Sequence, residues 1–245
     1  MSTALLAELI VERQPCVVLT GAGISTESGI PDFRSPHGIW AGIDPVEVAS
    51  IDAFRRDPAL VWEFYGRRLG MLGGIEPNAG HRAIAELERR GLVTAVVTQN
   101  VDGLHQRAGS REVVEVHGSL ANAVCPTCGA RESIDRVREM LAREPVPLCL
   151  VCATPLKPGV VMFGELLPAA AMDRATSLAR AAGLVLVVGS SLEVWPVAGL
   201  PLEAGAFAIV NLGPTTLDDR ALLKIERGAG DALTAVVAAL DSDPS

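Results

Sequence analysis

The sequence predicts an α/β fold: a mostly parallel sheet, covered by helices on both faces, that carries a smaller inserted lobe. Two observations predict it. Short apolar β-type runs at 16–20, 93–98, 113–116, 160–163, 184–188 and 206–211 alternate with helical patterns at 79–90, 169–182 and 231–240. Such alternation implies right-handed crossovers and parallel strands. Two stretches break the rhythm: 41–74 holds only helical patterns, and 119–157 holds a cysteine cluster with three prolines near its end. Both read as insertions. The 245 residues are enough for one sizeable core or for a large domain with a small one inserted. The expected division is a large lobe of 1–40, 75–118 and 158–245, a helical insertion at 41–74 and a metal-binding insertion at 119–157.

Composition narrows the class. With 49% hydrophobic and 20% charged residues and a mean hydropathy of +0.33, the chain reads as an ordinary globular protein toward the apolar end. No apolar run approaches the roughly 18 residues of a membrane span. The opening MSTALLAELIVERQ carries Glu8, Glu12 and Arg13 where a secretion signal would be uniformly apolar. A cytoplasmic protein without a membrane partner is expected, as a monomer or weak oligomer. The net charge of −8 argues against direct nucleic-acid binding and tilts toward basic partners such as lysine-rich protein segments.

Along the chain, the first strand candidate, Cys16–Thr20, runs into GAGISTESGIPDFRSPHGIW at 21–40. Neither Gly21 nor Gly23 has a Cβ, so the backbone can approach a diphosphate closely, with the N–H groups of a following short helix turned to it. The ordinary G-x-G-x-x-G fingerprint fails at its third glycine, where Thr26 stands. Ser25, Glu27, Ser28, Asp32 and Arg34 then gather around Pro31 and Phe33 in a stretch too irregular for helix or strand. It reads as an ordered loop folding over a ligand.

The 113–116 run ends at His117, which places an imidazole at a strand end on the cleft, where α/β sheets gather binding residues. A near-neutral imidazole suits proton removal from a hydroxyl at physiological pH. His37 in the loop, His81 at a helix start and His105 in a turn-to-helix segment read as structural. Cys125, Cys128, Cys149 and Cys152 form C-x2-C-x20-C-x2-C. Paired thiolates at that spacing can turn onto one tetrahedral zinc, and a set of four cysteines leaves no open position for water, so the ion is read as structural. Disulfides are the alternative, disfavoured by an intracellular setting. Cys16, within an apolar strand, reads as a packing residue, and the closing DSDPS reads as disordered.

The 21–40 segment, TQNVDGLH at 98–105, VHGS at 116–119, GVVMFGE at 159–165, GSS at 189–191 and NLG at 211–213 together resemble the sirtuins, the NAD-dependent protein lysine deacylases, over almost the whole chain. The resemblance implies a Rossmann-like large lobe, a small lobe with a helical and a zinc-ribbon module, NAD as co-substrate and one structural zinc. It implies removal of acyl groups from lysines of proteins or peptides, giving nicotinamide and O-acyl-ADP-ribose. By resemblance His117 is the catalytic base on the ribose hydroxyl. Gly21, Ala22, Gly23, Ser25, Arg34 and Trp40 belong to the cofactor loop. Ile30, Asp32 and Asp102 hold the nicotinamide carboxamide, Asn100 positions the ribose, and Gln99 and Phe33 line the same pocket. Gly189, Ser190 and Ser191 contact phosphate or ribose. Asn211, Leu212, Gly213 and Ala229 serve the adenosine end. Val160, Phe163, Gly164 and Glu165 match the family's peptide-binding strand, where main-chain hydrogen bonds read little sequence.

The chain's single tyrosine, Tyr65, lies three residues before Arg68. The pair fits the Y-x-x-R pattern of sirtuins that prefer succinyl, malonyl or glutaryl groups, and on a helix the two share a face and can converge on one carboxylate. Thr26 and Asp32 resemble other branches, so a deacetylase without acidic preference is the alternative. An NAD-dependent protein ADP-ribosyltransferase is another. A short-chain hydride-transfer enzyme needs Tyr-x-x-x-Lys, and Leu69 stands four residues after Tyr65. A non-catalytic zinc-ribbon module would leave His117 and the QNVD block without a purpose.

Overall fold

In the computed structural model, residues 2–33, 35–36 and 38–242 are described; Arg34, His37 and 243–245 lie outside the described residues, as does Met1. The chain begins with α1 (Ser2–Glu12), whose Leu6, Ala7 and Ile10 are buried, and β1 (Cys16–Thr20). Next come α2 (Pro45–Ala49), α3 (Ile51–Arg56), α4 (Pro58–Leu72), α5 (Ala79–Arg89), β2 (Ala95–Thr98), α6 (Leu104–Ala108) and β3 (Val113–Glu115). Four elements follow away from the main sheet: β4 (Gly118–Val124), β5 (Arg131–Ser133), α7 (Ile134–Leu141) and β6 (Lys157–Val160). The chain then returns through α8 (Ala169–Ala181), β7 (Leu184–Val188), β8 (Phe207–Val210), β9 (Leu223–Ile225) and α9 (Ala229–Ser242).

Among the described residues, six strands form one parallel sheet in the order β3-β2-β1-β7-β8-β9. Its central strands are apolar throughout because both faces are covered. Val18, Val96, Leu186 and Ala208 face one core with Leu6, Ile84 and Val236 of α1, α5 and α9. Val17, Ala95, Val185 and Ile209 alternate to the other face, against Ala175 and Leu178 of α8. Connections leave β1 toward β2 and return to β7 on its other side, so the strand order reverses between β1 and β7. In such sheets a crevice opens at that point, outside the carboxyl ends.

A third core belongs to the inserted elements. Asp44, Ser50 and Asp57 each cap the next of three successive helices, with Val46 N–H donating to Asp44 at 2.9 Å, Ala53 N–H to Ser50 at 3.0 Å, and Ala59 and Leu60 N–H to Asp57 at 3.1 Å. Pro45 and Pro58 stand just inside their helices, where no N–H is needed. Trp62, Tyr65 and Leu69 of α4 pack in one cluster with Leu120, Val137 and Leu156 of the β4–β6 region. The small sheet, in the order β5-β4-β6, is antiparallel.

The structure corrects several expectations. Only Val160 of the 160–163 run lies in a strand, and that strand, β6, pairs antiparallel with β4 and not with the main sheet. Pro158 fits there because β6 is an edge. The short helix expected after the Gly21–Gly23 turn is a 3-10 helix over 22–28, which takes in Ser25, Glu27 and Ser28 of the stretch read as irregular. The 93–98 and 206–211 runs shorten to 95–98 and 207–210. The helix α9 continues to Ser242, so the first two residues of the expected disordered tail are helical. The structure adds α1 and β9 to the expected elements. No helix among the described residues is long and apolar enough to cross a membrane.

The fully buried Trp62 donates its indole N–H to the Leu156 carbonyl at 2.7 Å. Trp62→Phe leaves that carbonyl unpaired in the third core and is expected to cost about 1–3 kcal/mol, read as a lower urea midpoint. An unchanged midpoint would mean that the carbonyl finds another donor.

Candidate functional site

A cavity of 890 Å³ occupies the crevice between the carboxyl ends of the strands and the inserted elements. Its floor is backbone. Gly21 N–H donates to Val188 O at 3.1 Å and Gly23 N–H to Gly189 O at 2.8 Å. A Cβ at Gly21 would come within 2.8 Å of Gly189 O, and one at Gly23 within 2.8 Å of Gly189 Cα. Gly189 itself has φ +63, and a Cβ there would overlap the Ile24 nitrogen. The three glycines therefore let two chain turns interlock at the strand ends, their own N–H groups spent on the Val188, Gly189 and Val210 carbonyls, and leave no side chain to keep a diphosphate from the backbone. Ala22, Ser190, Ser191, Asn211, Leu212 and Ala229 also line it.

Beneath that floor a polar network fixes Asn100. Its side-chain amide donates to Gly21 O and to Ser25 Oγ, both at 3.1 Å, and Ser25 Oγ donates to Asp102 at 2.8 Å. The other Asp102 oxygen accepts Leu104 N–H at 3.0 Å. Ser25, Ile30 and Asp102 do not line the cavity; Ser25 and Ile30 are buried below it, and Asp102 acts on it through Ser25. Gln99 does line it, and its amide donates to Ser190 Oγ at 3.0 Å, tying β2 to β7 across β1. Gly213 is likewise outside the lining: its carbonyl accepts Lys224 Nζ and the Asn211 amide, which shapes the loop after β8.

His117 lies at the crossing of the two sheets. Its Nδ1 stands 3.0 Å from Gln99 O, a pure acceptor, so Nδ1 carries the proton and the Nε2 lone pair is the basic one. Burial lowers its pKa below the ordinary histidine value, against the opposing pull of the Gln99 carbonyl. His81 and His105 do not line the cavity; both are buried, with pKa values pushed down by burial to about 4 and about 3.

At the cavity's other end Tyr65 and Arg68 sit one turn apart on α4, both buried. The Arg68 guanidinium carbon lies 5.5 Å from the Phe33 ring and 5.8 Å from that of Phe64. Trp40 stacks on both rings at 5.6 Å. No carboxylate among the described residues pairs with Arg68, its Nε has no hydrogen-bond partner, and burial lowers its pKa. Burial also pushes the Tyr65 phenol up to about 12. Asp32, Val160, Phe163, Gly164 and Glu165 line the same cavity. Glu165 is engaged within the protein: it accepts Met162 N–H and Lys157 Nζ, each at 2.9 Å.

Far along the small sheet, the sulfurs of Cys125, Cys128, Cys149 and Cys152 all lie within 4.8 Å of one another. Neighbouring pairs at 3.4–3.6 Å are too far apart for S–S bonds of about 2.05 Å. They are close to the ~3.8 Å edge of a tetrahedron with zinc–sulfur bonds of about 2.3 Å. The two knuckles are built alike: Cys125 N–H donates to Ala130 O and Cys149 N–H to Thr154 O, each at 2.8 Å. Gly129 at φ +75 and Ala153 at φ +57 make the matching turns. The set could hold one zinc with no ligand position left for chemistry.

A model of the Sir2 family matches residues 21–196. The chain belongs to the Sir2 family. The NAD-dependent protein deacylase 2 of Pyrobaculum aerophilum is 47% identical over 235 residues, covering 94% of this chain and 93% of that protein. The NAD-dependent protein deacetylase of Chromobacterium violaceum is 44% identical over 233 residues, covering 92% and 93%. A Sir2 structure solved with a deacetylated p53 peptide and 3'-O-acetyl ADP ribose matches with a TM-score of 0.92 at 40% identity, covering 97% of this chain and 98% of that one. Another, bound to a propionylated peptide, matches with a TM-score of 0.90 at 38% identity, covering 99% and 100%.

Within this Sir2 site, sequence reasoning passed over residues that the fold brings in. Phe64 supplies half of the aromatic cage around Arg68, and its place beside Tyr65 in an aromatic-rich segment was the available signal. Glu27, already read as part of the ligand loop, lines the cavity and accepts Gly230 N–H at the start of α9 at 3.0 Å. Trp195, 64% exposed, and Leu166, 94% exposed, stand at the cavity mouth. Lone apolar residues in loops carry no such signal.

The cysteine geometry leads to a metal prediction. Elemental analysis should find one zinc per chain, and chelation should unfold the small lobe, since the metal's binding energy is folding energy there. Well-folded protein free of zinc would overturn this.

Proposed function

We propose that the protein is an NAD-dependent protein lysine deacylase that releases nicotinamide and O-acyl-ADP-ribose and favours acyl groups ending in a carboxylate, such as succinyl and malonyl. The observation that carries the activity is His117, whose Nδ1–H is spent on Gln99 O and whose basic Nε2 is left for the cavity. NAD, as co-substrate, supplies a ribose carbon bearing a cationic leaving group. The floor between the interlocked turns, lined by Ala22, Ser190 and Ser191, would take its diphosphate, Asn100 and Gln99 its ribose, and Asp32 its carboxamide side. His117 Nε2 takes the proton of a ribose hydroxyl, a task for a base that is neutral at pH 7. Phe33 and Trp40 exclude water above the reacting carbon. Relatives solved with acetylated and propionylated peptides support acyl-lysine segments of proteins as partners, laid beside 160–165. The acyl preference rests on Arg68, a buried cation without a carboxylate partner among the described residues, with Tyr65 on the same helix face.

His117→Ala should cut deacylation by about 100- to 10,000-fold while NAD binding, measured by calorimetry, persists. Activity within threefold of the parent would remove His117 from the mechanism. The pH profile follows from the same residue. The base works when unprotonated, and burial sets its pKa below 6.5. The acid limb of the rate should therefore be centred below pH 6.5; one centred above 6.5 would contradict this.

Arg68→Met tests the acyl preference. A charge-assisted hydrogen bond contributes about 1.5–3 kcal/mol, or roughly 10- to 150-fold in kcat/KM. Desuccinylation should fall by that factor and deacetylation stay nearly unchanged, since an acetyl group does not reach the guanidinium. Equal loss on both would assign Arg68 to the structure of α4. A product mass showing ADP-ribosylated protein would favour a transferase instead.

A further inference from the structure

Two Gly-Ala-Gly segments stand in this chain, at 21–23 and at 228–230, and one carboxylate joins the elements that carry them. Glu27 lies near the end of the 3-10 helix that contains the first, and its Oε1 accepts the N–H of Gly230, the second residue of α9, at 3.0 Å. The second segment is shaped to receive it. A Cβ at Gly228 would stand 2.8 Å from that same oxygen, and one at Gly230 would overlap the other carboxylate oxygen. A side chain at either position would therefore push the carboxylate off the amide. The contact is also favourable electrostatically, since it sets a carboxylate against the first turn of α9, where the helix dipole leaves a partial positive charge.

Both partners of this contact belong to the cavity wall, which Thr26, Glu27, Gly228 and Ala229 line together. The 3-10 helix is fixed from its other side by Asn78, whose side-chain amide donates to Ile24 O at 2.7 Å and to Ser28 Oγ at 3.0 Å. The 228–230 segment has less to hold it, because two of its three residues have no side chain to pack. Its place in the cavity follows from the strand order. His117 lies beyond β3, Asn100 beyond β2, and the floor between β1 and β7, so a dinucleotide laid across the strand ends puts its adenosine beyond β8. There Asn211, Leu212 and Ala229 line the cavity.

We propose that Glu27 is a positioning residue for the adenosine half of the cofactor: by tying the 3-10 helix of the floor to the entry of α9, its carboxylate sets the spacing between the diphosphate floor and the adenosine wall. The assignment rests on the proposed binding of NAD. Without the tie the wall samples other arrangements, and a ligand that needs the correct one binds to only a fraction of the molecules. The acyl peptide, laid beside 160–165, touches neither partner of the contact, so the two substrates should respond differently.

Calorimetry on the full-length protein, with NAD and with ADP-ribose as probes, tests this. Glu27→Ala should weaken both by about tenfold, the lower end of what a hydrogen bond to a charged group contributes, and leave KM for the acyl peptide within about twofold. Glu27→Gln keeps an acceptor oxygen and should recover most of the loss. Gly230→Ala attacks the same contact from the other side: it should weaken NAD to a similar degree in the parent and add nothing in the Glu27→Ala background. Unchanged NAD binding, a loss on NAD that ADP-ribose does not share, or additive losses in the double variant would overturn the proposal. An equal loss on the peptide, or no recovery with glutamine, would overturn it as well, returning Glu27 to a general role in the fold. A parent that binds NAD yet does not deacylate would count against the proposed function and leave the role of Glu27 standing.

Discussion

Everything in the cleft depends on the interlocking of two turns at the ends of β1 and β7. Gly23 N–H reaches Gly189 O at 2.8 Å, and no side chain fits between the two segments. Adjacent parallel strands diverge at their carboxyl ends as their connections leave in opposite directions, and that divergence opens the crevice. Here the glycines close the crevice's base again without filling it. The result is a floor made of peptide groups, on which polar side chains from β2 can converge. Asn100 reaches across to Gly21 O and Gln99 to Ser190 Oγ because β1 is only one strand away from each. Any Cβ in the interlock would push β1 from β7 and misplace both amides together.

The second constraint lies at Gly118, with φ +74 and a Cβ position that overlaps Gly159 O. Across Val116 and His117 the chain leaves the end of β3 in the parallel sheet and enters β4 in the antiparallel one. His117 is therefore held by both. Its ring is tied to Gln99 O and its carbonyl accepts Val161 N–H at 2.8 Å. Gln99 belongs to the floor, and Val161 leads into the 160–165 segment. The imidazole is thus fixed between the two surfaces that any two-substrate reaction here must bring together, and neither lobe can shift without moving it.

The parts of this arrangement legible in the sequence are those with a local cause. Strands buried on both faces need unbroken apolar runs, so β1, β2, β7 and β8 stood out. Four thiolates on one ion need close pairs, so the cysteine spacing was sufficient. What the sequence concealed depends on depth and on distant partners. Ser25 and Asp102 carry polar side chains in motif positions, yet they work beneath the cavity, and depth has no signature in a motif. The 160–163 run is as apolar as a central strand, but Pro158 and Gly159 before it confine regular pairing to an edge. In α1 the charges of Glu8, Glu12 and Arg13 mask a helical face on which Leu6 and Ile10 seal the core against α9. Glu165 looked available to a ligand because its partner, Lys157, stands eight residues away.

Lys157 and Arg68 show how differently one lobe treats two buried cations. Each is about 9% exposed. Removing a charge from water costs several kcal/mol after relaxation, so each must be compensated. Lys157 is compensated within the protein: its ammonium donates to Pro158 O at 3.1 Å, Val160 O at 2.6 Å and Glu165 at 2.9 Å. That set leaves it no role toward a ligand and makes it a staple for the 157–165 segment. Arg68 has two aromatic faces, worth about 0.5–2 kcal/mol each, and a buried Nε with no acceptor. The aromatic faces fall short of the desolvation cost, so the Arg68 site is the less stable of the two as it stands. Asp102 acts on Arg68 only through space, and a closer carboxylate would add the attraction that the aromatic faces do not supply. On that accounting the proposed acidic acyl group would complete the lobe's own electrostatics as well as being recognised by it, whereas an acetyl group would leave the imbalance in place.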